Sequence, residues 1–148
     1  MALKLGMDAK LYWNDGSYAV PDWTEITNAK DVTLTNTKGE ADVTTRANDG
    51  WRATIGTLKE ASVEWSMIWD TADENFSAIQ DAYFNDTSIE LLVLDGDVDT
   101  VGSEGLRATM SITAFTRNEP LEDAITVNVT AKPTYSDNAP EWYEVEES

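Results

Sequence analysis

Apolar and polar residues alternate with a period of two in three segments of the chain, residues 61–69, 106–115 and 125–131. Successive side chains of a β-strand point to opposite faces, so this pattern predicts strands that pack one face and expose the other. Residues 89–94, Ile-Glu-Leu-Leu-Val-Leu, are almost continuously apolar and predict a more fully buried strand. The predicted inward positions are Ala61, Val63, Trp65, Met67, Trp69, Leu106, Ala108, Met110, Ile112, Ala114, Ile125, Val127, Val129 and Ala131.

One segment has the period of a helix instead. Thr71-Ala72-Asp73-Glu74 matches a capping box, with Thr71 as the N-cap and Glu74 as the residue that reaches back to it. An apolar stripe follows at helical spacing, and Asn85-Asp86 marks the end. The sequence therefore predicts one helix over about 72–84, whose stripe is Ala72, Phe76, Ile79 and Tyr83.

Turn signals separate the predicted strands, since Asn, Asp and Gly tolerate positive φ. They are Asn14-Asp15-Gly16, Asn48-Asp49-Gly50 and Asp95-Gly96. The fold class that follows is mainly β: an antiparallel β-sandwich or barrel with one flanking helix. Residues 1–136 form the predicted domain, and residues 137–148 form an acidic, extended C-terminal arm without strand or helix.

Charge and composition exclude several classes of function. The chain has 28 acidic and 10 basic residues, a net charge of −18, no His and no Cys. Binding to a phosphate backbone depends on Lys and Arg, so this charge disfavours nucleic-acid binding, and anionic membrane surfaces for the same reason. Without Cys or His there is no thiolate zinc site and no imidazole ligand. The simplest alternative interpretation of the charge is solubility.

Three kinds of ligand or catalytic site can be weighed against this background. Asp95-Gly96-Asp97-Val98-Asp99 resembles the first half of a calcium loop, but Thr100 and Leu106 stand where Gly and a bidentate Glu are required. Paired carboxylates of a glycosidase cannot be distinguished among 28 acids. Six Trp residues on a sandwich would suit carbohydrate stacking, yet Trp65 and Trp69 lie on a predicted core face, and Trp23 and Trp51 flank turns and are expected to be half-buried. We therefore predict no catalytic residue, no metal and no cofactor.

Residues 38–58 carry a resemblance to a known family: Lys-Gly-Glu-Ala-Asp-Val-Thr-Thr-Arg-Ala-Asn-Asp-Gly-Trp-Arg-Ala-Thr-Ile-Gly-Thr-Leu. Glu64-Trp65, Trp69-Asp70 and the helix follow, and then Arg117-Asn118-Glu119-Pro120-Leu121-Glu122 and Thr130-Ala131-Lys132-Pro133-Thr134-Tyr135-Ser136. In this order the elements resemble a phage tail tube protein, the major tail protein of a long-tailed phage or related prophage. The resemblance spans about residues 24–142.

The resemblance implies a structural virion protein rather than an enzyme. Such subunits form rings, typically hexameric, that stack into a hollow tube through which DNA passes during ejection, and their sheets join across subunits into one barrel. The implied partners are other copies of the chain and further tail proteins (tape measure, tail terminator, baseplate or tip), with no membrane and no specific DNA binding. The implied location is the virion tail, after assembly in the host cytoplasm. A ring of six copies at −18 each would have a net charge of −108, which would repel passing phosphates.

Residue hypotheses follow from combining the pattern with the resemblance. The polar faces of two strands are expected to line the lumen, and nearby acids are expected to supply its negative field. The hairpin or loop 38–51 is expected to bridge subunits or rings, and deletion of 137–148 is expected to weaken polymerisation but not folding. The lumen set is Thr109, Ser111, Thr113, Thr126, Asn128, Thr130, Glu119, Glu122 and Asp123, and the contact set is Asp42, Arg46, Trp51 and Trp142.

Two alternatives stay open at this point. The same fold would serve the inner tube of a contractile tail, a tailocin or an injection particle. A protein of a different class, a monomeric carbohydrate-binding β-sandwich, would need exposed coplanar aromatic side chains.

Overall fold

The computed structural model describes residues 3, 6 and 9–146. Within them the chain forms one antiparallel sheet and one α-helix. The strand order is β2-β1-β5-β6-β7-β4-β3, and β8 pairs with β6. The predicted mainly β fold with one helix is confirmed. The elements are β1 (Lys10–Asn14), β2 (Trp23–Glu25), β3 (Ala29–Asp42), β4 (Thr54–Ile68), α1 (Glu74–Phe84), β5 (Ile89–Leu94), β6 (Glu104–Asn118), β7 (Thr126–Pro133) and β8 (Glu141–Glu144).

The sheet curls around a single main core. Leu11 of β1 and Leu34 of β3 lie near opposite ends of the strand order, yet both pack on the same cluster. The centre of that cluster is the predicted inward face of β4 and β7, where Val63, Met67 and Val127 are fully buried. Helix α1 adds Phe76 and Ile79. Burial of these apolar side chains is the main stabilising term of the fold.

The predicted alternation is correct for β4 and β7 but fails in the second half of β6. The register of β6 against β7 runs from Ile112↔Ala131 to Ala114↔Thr130, so β6 contains one extra residue, Thr113. A bulge of this kind reverses the direction of every later side chain. Phe115 consequently packs on the core, whereas Ala114, predicted to face inward, pairs with a polar residue on the other face.

Helix α1 begins two residues later than predicted, and Thr71 is not its N-cap. Asp73 is the N-cap, and its side chain accepts a hydrogen bond from the Asn75 amide at 2.9 Å. Asp70 accepts from the Ala72 amide at 3.0 Å and holds that residue in the preceding turn. Asp caps a helix at least as well as Thr. Ala72 is therefore outside the helix and exposed, and Ala82 takes its place on the buried stripe.

The C-terminal segment contains a strand that the sequence did not predict. Strand β8 pairs with β6 from Glu104↔Glu144 to Arg107↔Glu141, beyond the point where β7 ends. Tyr143 and Val145 cover a second buried cluster formed by Tyr12, Leu92 and Leu94. Alternating residues of β5 thus enter two different cores, which confirms its predicted burial. The expectation that residues 137–148 contain no strand is wrong, because Tyr143 and Val145 add apolar contacts that local sequence did not reveal.

Candidate functional site

A broad polar face covers the side of the sheet opposite the main core. Cross-strand pairs define it: Ser66↔Asn128 and Asn128↔Thr116 form one row, and Ile68↔Thr126 and Thr126↔Asn118 form the next. Strand β3 extends the surface with Thr33 and Thr35, which are exposed and pair with Glu64 and Ser62. Most of these side chains are short and uncharged. The face is therefore polar and mostly uncharged, and its basic residues include Lys30, opposite Ser66, and Lys132, opposite Ser111.

The structure brings together part of the predicted lumen set. Thr126, Asn128 and Thr130 share the polar face, and Ser111 pairs with Lys132 on it. Thr113 lies in the bulge, where its hydroxyl donates to the Thr130 carbonyl at 3.3 Å.

Thr109 is on the same side but pairs with Glu90, away from this cluster. The acids Glu119, Glu122 and Asp123 are exposed in the loop between β6 and β7. The lumen role of the set stays a prediction.

Two residues of the polar face, Thr116 and Asn118, were missed by the sequence analysis. They face this side because the bulge at Thr113 shifts the alternation by one residue. A bulge carries no strong sequence signal in a Thr-rich strand. The only available hint was that Phe115 would otherwise have pointed away from the core.

The second candidate surface is a long β-hairpin, here called the arm and defined as residues 35–60. It contains the outer parts of β3 and β4 and a tip with one short 3-10 turn, Arg46–Asn48. Nearly all of its residues are exposed, including Leu58 at 81% and Trp51 at 78%. The expectation that Trp51 is half-buried is therefore wrong, because no other element packs on the tip within the described residues. The predicted segment 38–51 lies within the arm.

The arm differs from the body in charge. It holds four basic and four acidic residues and is neutral, so the remainder of the chain carries the whole net charge of −18. Arg46 makes no ion pair among the described residues. The basic residues of the arm are Lys38, Arg46, Arg52 and Lys59.

Asp42 shapes the start of the arm's tip. Its side chain accepts a hydrogen bond from the Thr44 amide at 2.9 Å. Hydrogen bonding from Thr44 lowers the pKa of Asp42 below its ordinary value. Asp42 thus has a role within the arm itself, whereas its predicted contact across a subunit or ring boundary stays a prediction.

A buried arginine fastens β8 to the body. The Arg107 guanidinium is paired with Glu90, donates to the Tyr18 carbonyl at 2.7 Å, and lies 3.9 Å from the centroid of the Tyr18 ring. Glu141 of β8 approaches it to 3.8 Å. Burial and then the charge of Glu141 raise the pKa of the Tyr18 phenol. Trp142, next on β8, is 58% exposed and donates to Glu104 at 3.3 Å.

The acidic segment considered for calcium makes protein contacts instead. Asp95 accepts from the Glu104 amide and Asp97 from the Asp99 amide, both at 2.9 Å. Lys10 lies 3.8 Å from Asp97 and 3.1 Å from Glu25, and its hydrogen bond to Glu25 raises the pKa of Lys10. Across residues 3, 6 and 9–146, no group of three or more acidic residues is arranged to hold a metal ion. None of the helices in those residues has the length and apolarity needed to cross a bilayer.

Comparison with known proteins identifies the family. A family model described as "Phage tail tube protein" matches residues 6–134. The chain belongs to the phage tail tube protein family. The resemblance noted from residues 38–58 is thereby confirmed, as is the expectation of a structural protein rather than an enzyme. A search of curated proteins finds no match.

Solved structures of tail tubes share the fold of this member of the family. A chain from the tail of an empty gene transfer agent particle, described with C6 symmetry, has a TM-score of 0.73 at 16% identity, covering 95% of this chain and 99% of that chain. The SPP1 tail tube protein has a TM-score of 0.72 at 15% identity, covering 98% and 81%. A chain of the anti-feeding prophage baseplate has a TM-score of 0.56 at 8% identity, covering 94% and 93%. At such identities the likeness establishes the fold.

Proposed function

We propose that this tail tube protein polymerises as stacked rings of six copies whose joined sheets form a tube for DNA ejection. The ring size is supported by the C6 symmetry of the similar gene transfer agent tail. The partners of the proposed tube are further copies of the chain and other tail proteins, and DNA passes without specific binding. The setting is a virion tail assembled in the host cytoplasm.

The observation that carries the proposal is a polar face bordered by an open strand edge. Within the described residues, β3 pairs only with β4, so the outer edge of this 14-residue strand offers unpaired backbone groups along about 45 Å. Exposed edges of that length recruit other strands unless they are covered. Pairing with a neighbouring copy would satisfy the edge and extend the polar face into a closed wall.

Electrostatics supports a position of the polar face at the lumen. Short Thr, Ser and Asn side chains make up most of the face, and a ring of six copies has a net charge of −108. At about 0.1 M salt the screening length is about 10 Å, so DNA close to the wall is repelled. The same charge opposes assembly, and we expect the neutral arm to make the contacts between subunits or rings.

Electron microscopy of the concentrated protein at low and high salt tests polymerisation. Hollow tubes or rings are expected, and more of them near 1 M salt, where the screening length is about 3 Å. Arg46→Glu is expected to shorten the tubes or reduce their yield. A chain that stays monomeric at every concentration and salt would contradict the proposal, and unchanged tubes in Arg46→Glu would remove Arg46 from the contact.

Cysteine labelling tests the face that lines the lumen, because the chain has no native Cys. Asn128→Cys places one thiol on the polar face, and Asp81→Cys places one on the exposed side of α1 as the control. A maleimide attached to a 5 kDa polymer is expected to label both variants as monomers but only Asp81→Cys in tubes. Equal labelling of Asn128→Cys before and after assembly would place the polar face outside.

A further inference from the structure

A groove opens at the root of the arm, where β4 and β8 diverge. Strand β7 ends at Pro133, and β8 continues along the same edge of β6 without pairing with β4. The resulting groove has a volume of about 460 Å³. Its apolar wall is formed by Leu106, Pro133, Pro140 and Trp142.

Two lysines lie on the other wall of this groove and face each other across the hairpin. Lys38 of β3 is directly opposite Lys59 of β4, and neither makes an ion pair within the described residues. Like charges in register repel, and this chain has only ten basic residues to place. Neither glutamate of the lining pairs with these lysines within the described residues: Glu141 approaches Arg107 to 3.8 Å, and Glu60 makes no ion pair.

The complementary surface lies at the other end of the same sheet. The loop between β6 and β7 presents Leu121, which is 99% exposed, beside Glu122 and Asp123. Glu119 of this loop is already paired with Arg117 at 3.3 Å, so two acids remain for the two lysines. Strand β6 has 15 residues and separates the loop from the groove by about 45 Å.

We propose that the groove binds the loop 119–123 of a second copy, with Glu122 and Asp123 at Lys38 and Lys59 and Leu121 against Trp142. The two surfaces are different and lie at opposite ends of β6, so the contact is head to tail and repeats without closing. Copies joined in this way form a column along the strand direction. The inference rests on the proposed tube and specifies one contact between successive rings.

Charge reversal in trans tests this contact. The groove variant is Lys38→Glu with Lys59→Glu, and the loop variant is Glu122→Lys with Asp123→Lys. Each variant alone is expected to raise the critical concentration for polymerisation, measured by sedimentation, at least tenfold. An equimolar mixture restores both contacts in alternation and is expected to return to within about threefold of the unmodified chain.

Matched controls separate this effect from net charge. The first control variant is Lys30→Glu with Lys132→Glu, and the second is Asp81→Lys with Asp99→Lys. They carry the same charge changes as the two test variants, on exposed residues outside the groove and the loop 119–123. A mixture of the two controls is expected to show no mutual rescue beyond the averaging of charge. Urea unfolding of each variant establishes that it folds. If the unmodified chain forms tubes while mixing gives no rescue, the groove assignment fails and the tube stands. If the unmodified chain never polymerises, both proposals fail.

Discussion

Replacement of Arg107 by Met is expected to destabilise the folded chain severely. The side chains of Arg107 and Glu90 are only 9% and 10% exposed, so their pairing takes place with little water. Removal of one partner leaves the other charge buried and uncompensated, which typically costs about 3–5 kcal/mol. The Tyr18 carbonyl also loses its donor, and Glu141 loses its cation. Small proteins are stable by about 5–15 kcal/mol in total, so a large share of the stability is at risk.

Urea and thermal unfolding followed by Trp fluorescence measure this loss. For a chain of this size, a loss of about 3 kcal/mol corresponds to a fall in melting temperature of about 6–12 °C. Arg107→Met with Glu90→Leu removes both charges and is expected to be at least about 1.5 kcal/mol more stable than Arg107→Met alone.

A surface pair provides the matched control. Arg117 and Glu119 lie 3.3 Å apart, but their side chains are 49% and 58% exposed. Arg117→Met is therefore expected to cost under about 1 kcal/mol. If Arg107→Met were as mild as Arg117→Met, or if Arg107→Met with Glu90→Leu were no more stable than Arg107→Met alone, the claim that a buried ion pair fastens this region would be wrong.

Other perturbations address the remaining elements. Phe76→Ala removes a fully buried ring and is expected to cost about 3–5 kcal/mol by urea unfolding, whereas Phe84→Ala on the same helix, 64% exposed, serves as its control. Deletion of 137–148 is now expected to impair folding as well as polymerisation, because it removes the contacts of Tyr143 and Val145 with Leu92 and Leu94. Trp142→Ala is expected to affect polymerisation alone, and urea unfolding and sedimentation of both variants measure the two effects. The lowered pKa of Asp42 means that its bond to Thr44 is fully present above the ordinary pKa and lost as pH falls through the folded value. NMR of the Thr44 amide is expected to show this acid transition, and Asp42→Asn is expected to abolish it.

Local patterning was sufficient for β4, β5 and β7. Val63, Trp65 and Met67 alternate strictly with polar residues, and the period of two identified both β4 and its inward face. The same argument identified β7, and the apolar run 89–94 predicted the bounds of β5. Phe76 and Ile79 identified the buried face of the helix. The N-cap was misassigned to Thr71, because Asp73 caps the helix and Asp70 holds Ala72 in the preceding turn.

The prediction failed where burial depends on contacts distant in the chain. The outer arm has no buried side to impose a pattern, so the full length of β3 and β4 was invisible. Tyr143 and Val145 contact Leu92 only after the sheet has formed, so the sequence of β8 predicted an extended C-terminal segment without a strand. The alternation in β6 was carried past Thr113 because a bulge adds a residue without a distinctive composition. The groove was beyond prediction, because Lys38 and Lys59 are brought together only by the hairpin register.

The exposed arm also has a kinetic consequence. A two-stranded ribbon without a core is marginally stable by itself. Part of the conformational entropy of the arm is therefore lost only when the arm binds another copy, and this loss opposes the first association step. The first ring must order every arm at the same time. Copies that add to the end of an existing tube instead bind to a surface whose arms are already ordered. We therefore expect a lag before tubes grow from the concentrated protein, and we expect preformed tube fragments to abolish that lag.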